Sequence, residues 1–188
     1  MSRPQSRPCP SKTREAGGQT GQEATCTECV TIDVTPGSRA VWGPSAWRIV
    51  HWLAMHHPER LSDTWLDALV TLLPCSECQD HLRANLQSLP PPATCLFKWS
   101  VRLHNRVNGQ LGKRRMTLAA ARVKHASPVL TSDERRPFCV AVVAKLPGGT
   151  TIWNTLRTLC DALDIRMGDH VMRSKDAILQ KMVGVSCS

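Results

Sequence analysis

The 188 residues predict a mainly α fold: a four- to five-helix bundle over residues 42–124, preceded by an arm (1–41) and followed by a C-terminal extension (125–188) of helical or α+β character. Three observations carry that expectation. Between residues 44 and 111 apolar side chains recur at intervals of three and four, the helical period, and not at the alternating period of a strand. Pro and Gly punctuate the stretch at short intervals, which makes the helices short and their connections tight. A hydrophobic content of 41% in a chain of this length suffices for one good core.

Each element has its own local reason. The first helix is expected from Pro44 to about His56, because proline suits a first turn, where its missing N–H costs nothing. Trp47, Val50, His51 and Ala54 share its face, and His57-Pro58 ends it. Asp63 can cap a second helix through Leu72, with Leu66, Leu69, Val70 and Leu73 apolar. Pro74 breaks that helix and starts a third, Cys75 to about Leu86, which the loop Pro90-Pro91-Pro92 closes off. Leu96, Trp99, Leu103, Val107 and Leu111 mark one face of a fourth helix, ended by Gly112. Met116 to Lys124 forms a fifth, and a polar loop around Pro128 and Pro137 follows. Phe138 to Ala144 reads as strand-like from its valine-rich run. Ile152, Leu156, Leu159 and Leu163 then give an amphipathic helix, and Lys175 to Val183 a last one.

Residues 1–25 are rich in Ser, Pro, Gly, Gln and Arg, the composition of a disordered arm. Their acid-poor start resembles a mitochondrial presequence in charge, but prolines and the lack of an apolar face oppose that reading, and no apolar h-region marks a secretory signal. No apolar run reaches the roughly 20 residues of a membrane span. The expected location is therefore intracellular. The net charge is +9, and Lys98 to Lys124 holds basic residues and no acid, a patch fit to steer an anion such as a cofactor phosphate or an acidic partner. No nucleic-acid-binding motif accompanies it, so a nucleic-acid partner is not expected.

The chemistry centres on Pro74-Cys75-Ser76-Glu77-Cys78. A cysteine that opens a helix meets unpaired N–H groups and the positive dipole end, which make it a better nucleophile and leaving group. The second cysteine lies one turn on, close enough for a disulfide. Two readings stand on these residues alone: redox activity, or a zinc site in which Cys26 and Cys29 join Cys75 and Cys78 in a basic binding module without catalysis. A thioredoxin-type site needs a βαβ context, and the residues before Cys75 read as helix. The fourth helix favours redox chemistry. His104, Asn105 and Asn108 form a polar cluster on an otherwise apolar helix and need partners if buried. A purine and ribose would satisfy them, Lys113 could meet a phosphate, and Trp47 with His51 makes a matching pair on the first helix. Together they suggest a dinucleotide cofactor held in a helical bundle.

Trp42-Gly43-x-x-x-Trp47-x-x-x-His51, Pro74-Cys75-x-x-Cys78-x-x-His81 and His104-Asn105-x-Val107-Asn108-x-x-Leu111-x-Lys113 resemble the Erv/ALR family of FAD-dependent sulfhydryl oxidases over Trp42 to Lys113. The resemblance implies a helical bundle, commonly a homodimer, that binds FAD and oxidises thiol-containing protein substrates. It places Cys78 beside the flavin and makes Cys75 the thiol that meets an outside dithiol. Trp42, Gly43, Trp47, His51, His81, His104, Asn105, Val107, Asn108 and Lys113 match positions that line the FAD site. Molecular oxygen is the implied acceptor and hydrogen peroxide the product. Cys26 and Cys29 resemble the shuttle disulfide that some members carry on an arm.

Departures from the pattern are specific. Val101 and Leu118 stand where many cellular members have a structural disulfide, and His57 replaces a usual Tyr. With the long C-terminal extension, these differences resemble members from large DNA viruses. A viral origin implies the host cytoplasm or the virion, and a cellular one the mitochondrial intermembrane space. Cys95, Cys139, Cys160 and Cys187 receive no role.

Overall fold

A computed structural model describes residues 38–146, 150–168, 171 and 174–183. The helices are α1 (Arg39–His56), α2 (Asp63–Leu72), α3 (Ser76–Ser88), α4 (Leu96–Gln110), α5 (Leu118–Lys124), α6 (Ser132–Lys145), α7 (Thr150–Asp161) and α8 (Lys175–Val183), with a 3-10 turn at Pro58–Arg60. No strand occurs among the described residues. The mainly α expectation holds, and the extension resolves as helical where it is described.

The bundle is organised around α1. Trp42, Ile49, Val50, Trp52, Leu53 and Ala54 are all buried, because α4 packs against one side of the helix and α6 against another. Helix α1 starts at Arg39, not Pro44, so Pro44 lies inside it and Trp42 and Gly43 are helical. Helix α2 packs on α3 and α7, and α6 on α8. One continuous apolar cluster consequently runs from Trp42 to Met182.

The strand expected at Phe138 to Ala144 is instead the body of α6. Its start carries a full capping box: Thr131 Oγ1 accepts from the Glu134 N–H at 3.2 Å, and Glu134 Oε2 accepts from the Thr131 N–H at 2.9 Å. With no strand partner among the described residues, the backbone of a buried segment must satisfy itself, which a helix does and a lone strand does not. Pro137 sits inside this helix and not in a loop. At that point the Ser45 hydroxyl of α1 donates to the Glu134 carbonyl at 2.6 Å and accepts from the Phe138 N–H at 3.3 Å. A side chain from the central helix thus serves the backbone polar groups around the proline. Arg48 reinforces the contact through Glu134 at 2.7 Å.

The cap of α2 is Ser62, whose Oγ accepts from the Trp65 N–H at 3.2 Å. Asp63 is the first helical residue, where its charge suits the dipole without capping the helix. Cys75 occupies the N-cap of α3, and its Sγ accepts from the Cys78 N–H at 3.3 Å. Helix α4 buries Trp99 and Leu103, while Val107 is half-buried and Leu111 is 37% exposed. The chain leaves α4 through Gly112 at φ +66°, a left-handed conformation that suits glycine.

Candidate functional site

A cavity of about 770 Å³ opens between α1, α2, α3, α4, α5 and the segment 111–117. That volume falls in the range of cofactor sites, roughly 300–1,000 Å³. Trp42, Ala46, Val50, Leu66, Leu69, Leu73, Leu82 and Leu103 make its apolar wall. The Trp47 and His104 rings stack there, with centroids 4.2 Å apart and planes 4° from parallel. Arg39, Arg48, Lys113, Arg114, Arg115 and Lys124 also line it, and none of its described lining residues is acidic. The cavity therefore suits a flat, largely apolar ring system joined to an anionic group. A shallower depression of about 340 Å³ by Arg60 and Asp164 holds none of the candidate residues.

Most of the residues singled out in the sequence meet at this cavity. Trp42, Gly43, Trp47, His51, Cys78, His81, His104, Val107, Asn108 and Lys113 all line it. Cys75 is not a lining residue; it stands half-buried at the start of α3. Asn105 is also absent from the wall. Its Oδ1 accepts from the Met116 N–H at 2.8 Å and its Nδ2 donates to the Met116 carbonyl at 2.7 Å. Asn105 thus shapes the cavity indirectly, by clipping the segment that carries Lys113, Arg114 and Arg115. Cys26 and Cys29 lie outside the described residues.

Three groups at the site escape a sequence reading. Arg39 falls in the stretch read as an arm, yet its guanidinium donates to Cys78 Sγ at 4.0 Å. The signal was its position three residues before Trp42, which one helical turn brings to the same face. Ser100 is fully buried beside His51. His125, read as the start of the extension, is 3% exposed, lines the cavity and has no hydrogen-bond partner at Nδ1 among the described residues. A buried, unpaired ring nitrogen beside a cavity is the kind of group that a ligand or water satisfies.

Cys78, His51, His104 and His125 have displaced proton equilibria. Burial, with the hydrogen bond and charge of Cys75, pushes the Cys78 thiol up to about 11, and Arg39 acts in the opposite direction. Burial, with repulsion from His125, His104 and nearby cations, lowers His51 to about 2. Burial and cations that include Lys124 lower His104 and His125 to about 4. All three imidazoles are neutral at pH 7 in the folded chain.

A pH effect on stability follows. Unfolded histidine titrates near 6.5, so between that pH and about 4 the unfolded chain binds more protons than the folded one. The expected result is stability that is complete above about pH 6.5 and falls as pH drops toward 4, by about 1.4 kcal/mol per pH unit for each imidazole held neutral. Urea midpoints of the purified chain measured from pH 8 to 4.5 would show this, and a flat profile would contradict the buried neutral cluster.

Comparison with known proteins agrees with this geometry. The family model for the Erv1 / Alr family matches residues 44–127. A relative from Invertebrate iridescent virus 6, 347L, is 34% identical over 101 residues, which cover 45% of this chain and 91% of the relative. A second, 096R of Invertebrate iridescent virus 3, is 32% identical over 85 residues, covering 39% of this chain and 57% of the relative. Both carry names that provisionally describe FAD-linked sulfhydryl oxidases. No solved structure gives a significant match. The chain belongs to the Erv1 / Alr family.

Proposed function

We propose that this chain is a FAD-dependent thiol oxidase that makes protein disulfides, taking electrons from dithiols through Cys75–Cys78 and delivering them by way of FAD to oxygen, with hydrogen peroxide as product. The observation that carries this reading is the split of the Cys-x-x-Cys: Cys78 belongs to the cavity wall and Cys75 does not. The residues present fit the cofactor. Trp47 and His104 offer a flat stacking surface, His125 a ring nitrogen with no partner among the described residues, and Lys113 with its arginine neighbours the charge for phosphates. Bound FAD would supply the reaction with oxygen, which amino-acid side chains do not provide.

The chain's residues account for the thiol chemistry. A substrate thiolate attacks Cys75 Sγ of the Cys75–Cys78 disulfide; a substrate–Cys75 bond forms and Cys78 leaves as the thiolate. The substrate's second thiolate then attacks its own sulfur in that mixed disulfide, releasing Cys75 and the oxidised substrate. Cys75 cannot add negative charge beside Cys78 while bonded to substrate, so two of the influences that disfavour the Cys78 thiolate vanish at the step that creates it. Arg39 remains to stabilise the charge.

Cys26–Cys29 acts in this reading as the shuttle that collects electrons from a protein substrate and passes them to Cys75. Cys26→Ala is expected to leave oxidation of a small dithiol unchanged and to slow a protein dithiol at least about tenfold, a loss of 1.4 kcal/mol or more. Equal losses with both substrates would remove the shuttle assignment. The viral relatives support an origin in a large DNA virus; for such a member the family resemblance implies virion proteins made in the host cytoplasm as substrates, and a homodimer.

The central test is the visible absorption spectrum of the purified chain, before and after a dithiol is added without oxygen. A flavin band that bleaches supports both cofactor and electron path. A colourless protein that takes up no FAD overturns them.

A further inference from the structure

Behind the stacked rings runs a chain of buried hydrogen bonds. Ser100 Oγ lies 2.8 Å from the Phe97 carbonyl and 2.9 Å from His51 Nδ1, and His51 Nε2 lies 2.9 Å from His104 Nδ1. Ser100 and His51 are fully buried, so no water competes for the contact between them. The proton positions follow from which atoms can only accept. A carbonyl oxygen cannot donate, and two oxygens at 2.8 Å without a hydrogen between them repel, so the serine proton points at Phe97. The serine then faces His51 with a lone pair, and His51 must carry its proton on Nδ1. A neutral His51 has a bare Nε2, so the proton in the next contact belongs to His104 Nδ1. His104 is left with a bare Nε2, on a ring that lines the cavity and is stacked on Trp47.

We propose that Ser100 is a positioning residue: through His51 it fixes His104 as the Nδ1–H tautomer, so that His104 Nε2 offers the cavity a hydrogen-bond acceptor for an N–H or O–H donor of the bound nucleotide. The role of that acceptor in holding the cofactor rests on the flavin reading above; the proton arrangement does not. Lowered proton affinity of both rings keeps the relay in its neutral form across ordinary pH. Ser100 does not itself line the cavity, so its influence on a ligand passes through the two rings. If its hydroxyl is removed, His51 Nδ1–H loses its acceptor in a dry site. The cheaper arrangement then puts both protons on Nε2, and His104 becomes a donor toward the cavity.

Long-range imidazole ¹⁵N–¹H correlation spectra of the full chain, as purified and after FAD is added, read these tautomers directly. The wild type is expected to show His104 protonated on Nδ1, Ser100→Ala to move that proton to Nε2, and Ser100→Thr to restore the wild-type pattern. Flavin fluorescence titration of the same proteins is expected to show about tenfold weaker FAD binding for Ser100→Ala and recovery for Ser100→Thr. His104 protonated on Nε2 in the wild type overturns the relay, as does a Ser100→Ala variant that binds FAD more weakly with its tautomers unchanged. A wild type with the expected tautomer that binds no FAD sustains the relay and overturns the flavin reading.

Discussion

Cys78→Ala is expected to abolish dithiol oxidation, lowering turnover at least about a thousandfold, for small and protein dithiols alike. The reason is geometric. Of the two cysteines in the α3 motif, Cys78 is the one on the cavity wall, and it is the one cysteine among the described lining residues. Without it, a thiolate attacking Cys75 finds no disulfide to break, and no pair of electrons leaves the substrate. The variant should still fold and hold FAD, because Cys78 is one lining group among an extensive apolar wall. Flavin absorbance per chain, measured beside turnover, separates lost chemistry from lost cofactor. Cys75→Ala should match it in turnover with protein substrates, since the proposed entry thiol is then missing. Residual activity above one tenth of wild type in Cys78→Ala would show that electrons travel by another route.

The site was more legible in the sequence than the packing that supports it. Cys78, Trp47, His51 and His104 announce themselves because chemistry confines such residues to fixed helical spacings, and helix geometry carries the spacing into space. Asn105 illustrates where spacing runs out. It shares a helix with His104 and Asn108, but its amide is matched by the Met116 backbone, an interaction made by a loop whose path no periodicity encodes. Arg39 and His125 lie just beyond the segment that the motifs mark, and only the burial of α1 and α5 brings them to the cavity. Helix α6 is the clearest misreading. Its valine run favours a strand by propensity, and Pro137 looks like a break. The Thr131-x-x-Glu134 capping box was present in the sequence and pointed the other way, whereas the Ser45 hydroxyl that serves the backbone at Pro137 comes from a helix far upstream.

That tertiary support makes Phe138→Ala the substitution with the largest expected effect on stability. Phe138 is fully buried, its ring centroid is 6.3 Å from that of Trp42, and its N–H is held by Ser45. Removing the ring leaves a cavity between α1 and α6 and should cost about 3–5 kcal/mol. For a chain of this size each kcal/mol lowers the melting temperature by about 2–4 °C, so a fall on the order of 10 °C is expected. Trp42 also lines the cavity proposed to hold FAD, and the loosened wall should raise the FAD dissociation constant although residue 138 does not line that cavity. Val129→Ala is the internal control: Val129 is 61% exposed, and its loss should shift stability by less than about 0.5 kcal/mol. Equal melting temperatures for the two variants would mean that α6 does not pack on α1 as described, and the cavity wall would then need another source of rigidity. A large gap between them, with FAD affinity falling alongside stability in Phe138→Ala alone, would make the segment beyond residue 125 a structural wall of the flavin site.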